Sequence, residues 1–274
     1  MGYYSTRVAV VTGAGSGIGS AVAMALARRG AHLALADRDG DAVAGTARQC
    51  QRDGVRVRAD TVDVTDRQAV LDYSAAVVGD FGRADLVFAA AGVIHTGSLL
   101  ASEFSDLDHV INVNLFGVMN TAKAFLPALI ASGRGHIVAM SSGFGLVAAP
   151  HYSAYCATKF GIRGFAESLR QEMVLDGHPV AVTCVYPGRV RTSIMRHGSY
   201  AAGENAAAVA TRFGQMARME ADQAAAIILR GVARRRSQVL VGADARAVSL
   251  VLRVAGSRYQ YLLPMLARRP RKTG

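Results

Sequence analysis

Short runs of β-branched and apolar residues alternate along this chain with longer, alanine-rich stretches of helical period: 8–11 then 19–29, 32–36 then 41–52, 55–60 then 67–78, 86–88 then 107–130. A strand that feeds a helix and returns to a neighbouring strand in the same direction needs a crossover lying on one face of the sheet. The alternation therefore predicts a parallel sheet buried on both sides. Later runs at 136–140, 180–185 and 239–241, with helices over 153–175 and 221–234, bring the count to seven parallel strands in a doubly wound α/β sheet with helices on both faces. At 274 residues, 51% hydrophobic and 19% charged, the chain buries a large core, which excludes disorder and a disulfide miniprotein. No Pro/Gly/Ser-rich linker divides it, so residues 1–244 read as one domain and 245–274 as a C-terminal extension. Residues 193–219, polar and alanine-rich between the sixth strand and the next helix, read as a lid beside a ligand site.

Charge narrows the partners. The 31 bases against 20 acids leave +11, carried almost wholly by arginine, since only Lys123, Lys159 and Lys272 are lysines. Nucleic-acid binding would gather those arginines on one element with interleaved aromatics, yet most stand singly, as at Arg7, Arg38, Arg83 and Arg163. No nucleic-acid partner is expected. The denser groups, Arg234–Arg236 and Arg268, Arg269, Arg271 and Lys272, face either acidic lipid headgroups or water. Cys50, Cys156 and Cys184 form neither a disulfide framework nor a zinc motif, and the N-terminus lacks a signal-peptide pattern, so a cytoplasmic setting is expected. The nearest approach to a membrane span is read at 245–254, where Arg246 and Arg253 interrupt it. His95, His109, His151 and His197 match no metal-ligand spacing, and no metal is expected. His151 either lines a substrate pocket or sits on a solvated loop.

The first strand runs into Thr12-Gly13-Ala14-Gly15-Ser16-Gly17-Ile18-Gly19, and a helix opens at once. Glycines let backbone N–H groups approach a pyrophosphate, and a helix N-terminus adds unpaired donors and the positive end of a dipole. Gly13, Ser16, Gly17, Ile18 and Gly19 are thus candidate phosphate-loop residues; the plain alternative is a tight turn without ligand. Asp37 ends the second strand twenty residues beyond Gly17, the offset at which a carboxylate accepts hydrogen bonds from the adenosine ribose. A carboxylate there repels a 2′-phosphate, so NAD is favoured over NADP. Arg38 follows and pairs with that phosphate if Asp37 turns away, or else Asp37 merely opens a turn. Asp63 and Val64, after the third strand, are placed to bind adenine. Together these features describe a Rossmann-type sheet.

Tyr155 and Lys159 lie four apart on a stretch where Phe165, Leu169 and Met173 recur at helical spacing, so both project from one helix face. A neighbouring ammonium favours the phenolate and should lower the phenol from its ordinary pKa near 10, which would suit Tyr155 to acid–base chemistry. With the glycine loop, Asn112-Val113-Asn114, Ser141-Ser142 and Pro187-Gly188-x-Val190-x-Thr192, the chain resembles the short-chain dehydrogenase/reductase family from about Arg7 to Gly242. The resemblance implies a catalytic tetrad of Asn114, Ser142, Tyr155 and Lys159. It makes serine the partner of the substrate oxygen, tyrosine the proton donor or acceptor, lysine the holder of the nicotinamide ribose, and asparagine the anchor of a relay water. It also implies that Ala91, Gly92, Pro187, Gly188, Val190 and Thr192 line the cofactor, and that a homodimer or homotetramer packs through the helices bearing Asn114 and Tyr155.

One departure stands out: Ala89-Ala90-Ala91-Gly92 replaces the family's usual Asn-Asn-Ala-Gly, which should loosen one wall of the cofactor site without removing a reacting group. Phe144, Leu146, Val147, Ile194 and Met195 suggest either an apolar pocket for a lipophilic alcohol or ketone, or core packing. The apolar tail resembles the extended C-termini of bacterial family members thought to act on lipids; it covers the pocket, packs on another subunit or lies on a membrane surface. The leading expectation is hydride transfer between a secondary alcohol or ketone and NAD(P). The alternatives are epimerase or dehydratase chemistry with retained NAD, and a non-catalytic nucleotide-binding or membrane scaffold.

Overall fold

A computed structural model describes residues 2–261. Seven parallel strands form one sheet: β1 (Val8–Thr12), β2 (His32–Asp37), β3 (Val57–Thr61), β4 (Leu86–Ala89), β5 (His136–Met140), β6 (Ala181–Pro187) and β7 (Gln238–Val241). Their order is β7-β6-β5-β4-β1-β2-β3. The chain winds outward from β1 to β3, then returns to pair β4 with β1 before winding the other way. That reversal opens a crevice beyond the carboxyl ends of β1 and β4, where open parallel sheets place ligands.

The alternation of side chains along each strand divides the core in two. Ala9, Val11, Leu33, Leu35, Leu86 and Phe88 enter one apolar layer with α1 (Gly17–Ala27), α2 (Gly40–Gln51) and, as the eighth helix of the chain, Ala221–Ala233. Their neighbours Val8, Val10, Ala34, Ala36, Val87 and Ala89 enter the other, beneath α3 (Arg67–Phe81), α5 (Gly117–Ala131) and α6 (Ser153–Leu175). All five residues of β1 are buried, which is why the strand reads as an uninterrupted apolar run rather than an alternating one.

Three features depart from expectation. The stretch read as one helix over 107–130 is α4 (Phe104–Ile111), a π-helical turn (Asn112–Phe116) and then α5. Phe104–Ala131 is also long and apolar enough by composition to cross a membrane, more so than 245–254. Its Val118, Ala122, Phe125 and Leu129 lie in the second core layer, so packing on the sheet accounts for that hydropathy. The 193–219 segment contains a helix, α7 (Ala206–Met216), and two small parallel ladders tie the segment down. Val190–Arg191 pairs with Met219–Glu220 at its base, and His95–Thr96 pairs with Ser199–Tyr200 at its middle. Beyond α8 (Ala221–Ala233), residues of the extension form α9 (Ala243–Ala255). The expectations for Leu262–Leu266 and for Arg268, Arg269, Arg271 and Lys272 lie outside the described residues.

Candidate active site

A cleft of about 340 Å³ runs along the carboxyl edge of the sheet. It is lined by every residue that the sequence assigns to the cofactor, from Gly13, Ser16, Gly17, Ile18 and Gly19 through Asp37, Arg38, Asp63, Val64, Ala91 and Gly92 to Pro187, Gly188, Val190 and Thr192. The glycine loop is built by close approach. Gly13 has φ +68°, and a Cβ there would fall 2.6 Å from the Ala91 backbone nitrogen. At Gly19 a Cβ would fall 2.0 Å from the Gly13 carbonyl oxygen, so α1 starts hard against the loop.

The N-terminus of α1 is left open, unlike those of α2, α3 and α7. Ser16 makes no side-chain cap, and the first turn holds no acidic residue. In contrast, Asp39 caps α2, Asp66 caps α3 and Asn205 caps α7 through their side chains. Uncapped N–H groups and a positive dipole end at the cleft, with no carboxylate in the first turn to take them, fit an anionic diphosphate. At the adenosine end, the Asp37 carboxylate accepts the N–H groups of Gly15 at 2.8 Å and Asp39 at 3.1 Å, which aims it across the loop into the cleft. Arg38 is exposed at the rim. The alanines after β4 do not leave the wall unpinned: the Thr12 hydroxyl accepts the Ala90 N–H, and the cofactor wall here is backbone packed against backbone.

At the other end the cleft reaches Ser142, Tyr155 and Lys159. Tyr155 and Lys159 are buried one turn apart on α6, with the ammonium 5.4 Å from the centre of the phenol ring. Lys159 Nζ donates to the Met140 carbonyl at 3.1 Å. Ser142 caps a short 3-10 turn by accepting the Phe144 N–H, and its hydroxyl lies near enough to the phenol to favour the phenolate. Neighbouring Ser141 is turned away, donating to the Lys159 carbonyl, so of the two serines it is Ser142 whose hydroxyl acts on the phenol.

The acid–base balance differs from the sequence expectation. Burial pushes the Tyr155 phenol up to about 12, with only the Ser142 hydroxyl pulling the other way. Burial also draws Lys159 down to about 8. Both groups are almost wholly buried, and Nζ spends a donor on the Met140 carbonyl. Desolvation therefore outweighs their mutual attraction.

Asn114 sits in the π-helical turn, where the Gly117 N–H reaches back to the Asn112 carbonyl. Its side chain is fully buried and fully engaged. Oδ1 accepts the Val93 N–H at 2.8 Å, while Nδ2 donates to the Val93 carbonyl at 2.9 Å and to the Thr158 hydroxyl at 3.2 Å. Both amide N–H groups are thus spoken for, and the side chain ties the loop after β4 to α6. It does not line the cleft itself, unlike its neighbour Val113.

In front of Tyr155 the side chains of Ile94, Phe144, Ile194 and Phe213 make an apolar wall of the cleft, forming an apolar chamber there, while Met195 and Tyr152 pack behind them and do not line it. Leu146 belongs to the second core layer instead, and Val147 lies outside the cleft. His151 does not line the cleft; it has φ +68° and stands 3.7 Å from Glu204. His197 lines it in its place. His95 is buried between the hydroxyls of Ser199 and Ser102, each 2.8 Å away. Among the described residues no group of three His, Cys, Asp or Glu side chains is placed to hold a metal ion. Sequence reasoning missed Val62, Ile94, Met140, Ser193, His197 and Phe213 as cleft residues. Val62 had a signal in its neighbours Asp63 and Val64; Phe213 had none, because the helix that presents it was read as a polar lid.

A family model described as short chain dehydrogenase matches residues 7–201. The oxidoreductase SadH of Mycobacterium tuberculosis is 47% identical over 264 residues, covering 96% of each chain. Estradiol 17-beta-dehydrogenase 11 of Pongo abelii is 32% identical over 198 residues, 72% of this chain and 66% of that one. Among solved structures, a short-chain dehydrogenase/reductase from Burkholderia phymatum in complex with NAD superposes with a TM-score of 0.85 at 28% identity, covering 100% of this chain and 99% of the other. An alcohol dehydrogenase from the archaeon Thermococcus sibiricus, complexed with 5-hydroxy-NADP, gives 0.75 at 28% identity over 86% of this chain and 96% of its own. The chain belongs to the short-chain dehydrogenase/reductase family, as an oxidoreductase.

Proposed function

We propose that this enzyme oxidises a lipophilic secondary alcohol, or reduces the matching ketone, with NAD as the favoured cofactor. The observation that carries the reading is the position of Tyr155: a buried phenol at the inner end of a nucleotide-shaped cleft, beside Ser142 and walled in front by Ile94, Phe144, Ile194 and Phe213. When bound, NAD supplies the carbon that accepts or returns hydride. The open N-terminus of α1 holds the diphosphate, and Asp37 takes the adenosine ribose hydroxyls and repels a 2′-phosphate.

At the chemical end, Ser142 Oγ hydrogen-bonds the substrate oxygen and Tyr155 Oη exchanges the hydroxyl proton with it. Lys159, with one N–H on Met140, has two further donors for the nicotinamide ribose. Asn114 acts by positioning, through its hold on Val93 and Thr158. A homodimer through α5 and α6 is part of the same reading, because Phe116 and Phe160 are each 38% exposed on that side. The three buried free thiols suit a reducing, cytoplasmic setting.

Tyr155→Phe tests the reading. It should cut turnover of an apolar secondary alcohol by about 10²- to 10⁴-fold while NADH binding, followed by cofactor fluorescence, stays within about twofold. Turnover close to wild type would remove the phenol from the reaction. Turnover without net change in cofactor redox state would point to epimerase or dehydratase chemistry.

A further inference from the structure

Helix α9 is apolar on two opposite sides. Ala245 is buried, and Val248 and Leu252 pack on the second core layer, so one side closes the end of the sheet. The other side carries Ala247, Leu250, Val251 and Val254, spaced i, i+3, i+4, i+7, which makes one continuous stripe along the helix. Leu250, Val251 and Val254 are 64%, 51% and 85% exposed, and Tyr261 beyond the following turn is 77% exposed. A helix that only had to cover the sheet would be polar here, and among the described residues nothing covers the stripe.

The charge around the stripe says what fits it. From Ala245 to Gly274 the sequence holds seven Arg and Lys and no Asp or Glu, so thirty residues supply +7 of the net +11. Arg246 and Arg253, seven apart, share one flank of the stripe, and Arg258 follows it; all three are exposed. The nearest acid in sequence, Asp244, is turned inward, accepting the N–H groups of Arg189 at 2.7 Å and Ala245 at 3.0 Å. A second copy meeting the same stripe across a two-fold axis would bring like charges together. An anionic headgroup layer neutralises them while the apolar side chains enter the acyl boundary.

We propose that the outer face of α9, with the basic segment that follows it, docks this enzyme on an anionic lipid surface. The helix leaves β7 at the carboxyl edge of the sheet, the edge on which the cleft opens. The Tyr259 hydroxyl accepts the Ala148 N–H, in the loop that follows Ser142. Docking thus sets the entrance of the apolar chamber beside the bilayer. Only this last step, lipid-borne substrate, rests on the proposed alcohol and ketone chemistry.

The test is co-sedimentation of the full chain with phosphatidylcholine vesicles, with and without phosphatidylglycerol. Wild-type protein should pellet with the anionic vesicles, at least about tenfold more than with neutral ones, and added salt should release it. Leu250→Gln with Val254→Gln, and separately Arg246→Glu with Arg253→Glu, should each lower that binding about tenfold. NADH binding by each variant should remain at the wild-type level, which reports an intact fold. Failure to pellet, equal binding to both vesicles, or variants that pellet like wild type would overturn the proposal. So would a dimer that the leucine and valine changes convert to monomer by light scattering, which would assign the stripe to a second copy. No substrate enters the assay, so its outcome is separate from that of the turnover test.

Discussion

At the scale of single residues, chemistry here is a contest between desolvation and pairing. Lys159 is buried enough that its ammonium titrates near pH 8. If a charged lysine is needed beside the phenol, kcat/KM for ketone reduction should be level below about pH 7 and decline as the pH passes about 8. Oxidation, which needs the phenol to accept a proton, should climb up to about pH 8, because Tyr155 keeps its proton until about 12, and level off once Lys159 loses its charge. Lys159→Arg keeps the charge at all these values and should move the decline in reduction to higher pH; an unmoved profile would exclude the lysine as its source. At the other end of the cleft, Asp37→Ala removes the carboxylate that faces the ribose. NADH affinity should fall about 10- to 100-fold while NADPH affinity holds or rises, read by fluorescence titration.

At the scale of elements, the site depends on irregularities more than on regular structure. The π-helical turn between α4 and α5 lets Asn114 answer both backbone groups of Val93 from a helix interior. Asn114→Ala would orphan those buried groups and should cost about 2–4 kcal/mol, measured from the denaturant midpoint. The sequence carried Asn114 by motif and reached it through a helix drawn as continuous; nothing local marks a π turn, which arises where α4 and α5 must both pack against their neighbours. The same holds for α7. Its alanines and polar residues read as a loop, yet Val209, Ala210 and Phe213 find an apolar partner only in the chamber facing Tyr155.

At the scale of the whole molecule, one buried carboxylate ties the lower edge of the sheet. Asp85, at the start of β4, accepts the Val8 N–H of β1 at 2.9 Å and is bonded by Arg83 and by Arg134, which precedes β5. Burial raises its pKa, but the Val8 bond and the two arginines outweigh it, leaving the carboxyl below its ordinary value. A carboxyl lowered in the folded state contributes stability that is fully present above its unfolded pKa and lost as pH falls through the folded one. Asp85→Asn should therefore lower stability at neutral pH by about 1–3 kcal/mol and flatten the acid limb of the stability curve below about pH 4.

What the sequence determined by itself was everything carried by short-range spacing. The period of the strands and helices set the layers, the run from Thr12 to Gly19 set the phosphate loop, and the interval from Tyr155 to Lys159 put two side chains on one face. These follow from backbone geometry that neighbours in the chain settle among themselves. The tertiary structure decided what distant neighbours settle: which serine meets the phenol, whether His151 or His197 enters the cleft, and how far burial displaces the two proton-bearing groups. It also decided which apolar face of α9 the sheet takes and which is left uncovered by the described residues, since only the packed sheet shows this.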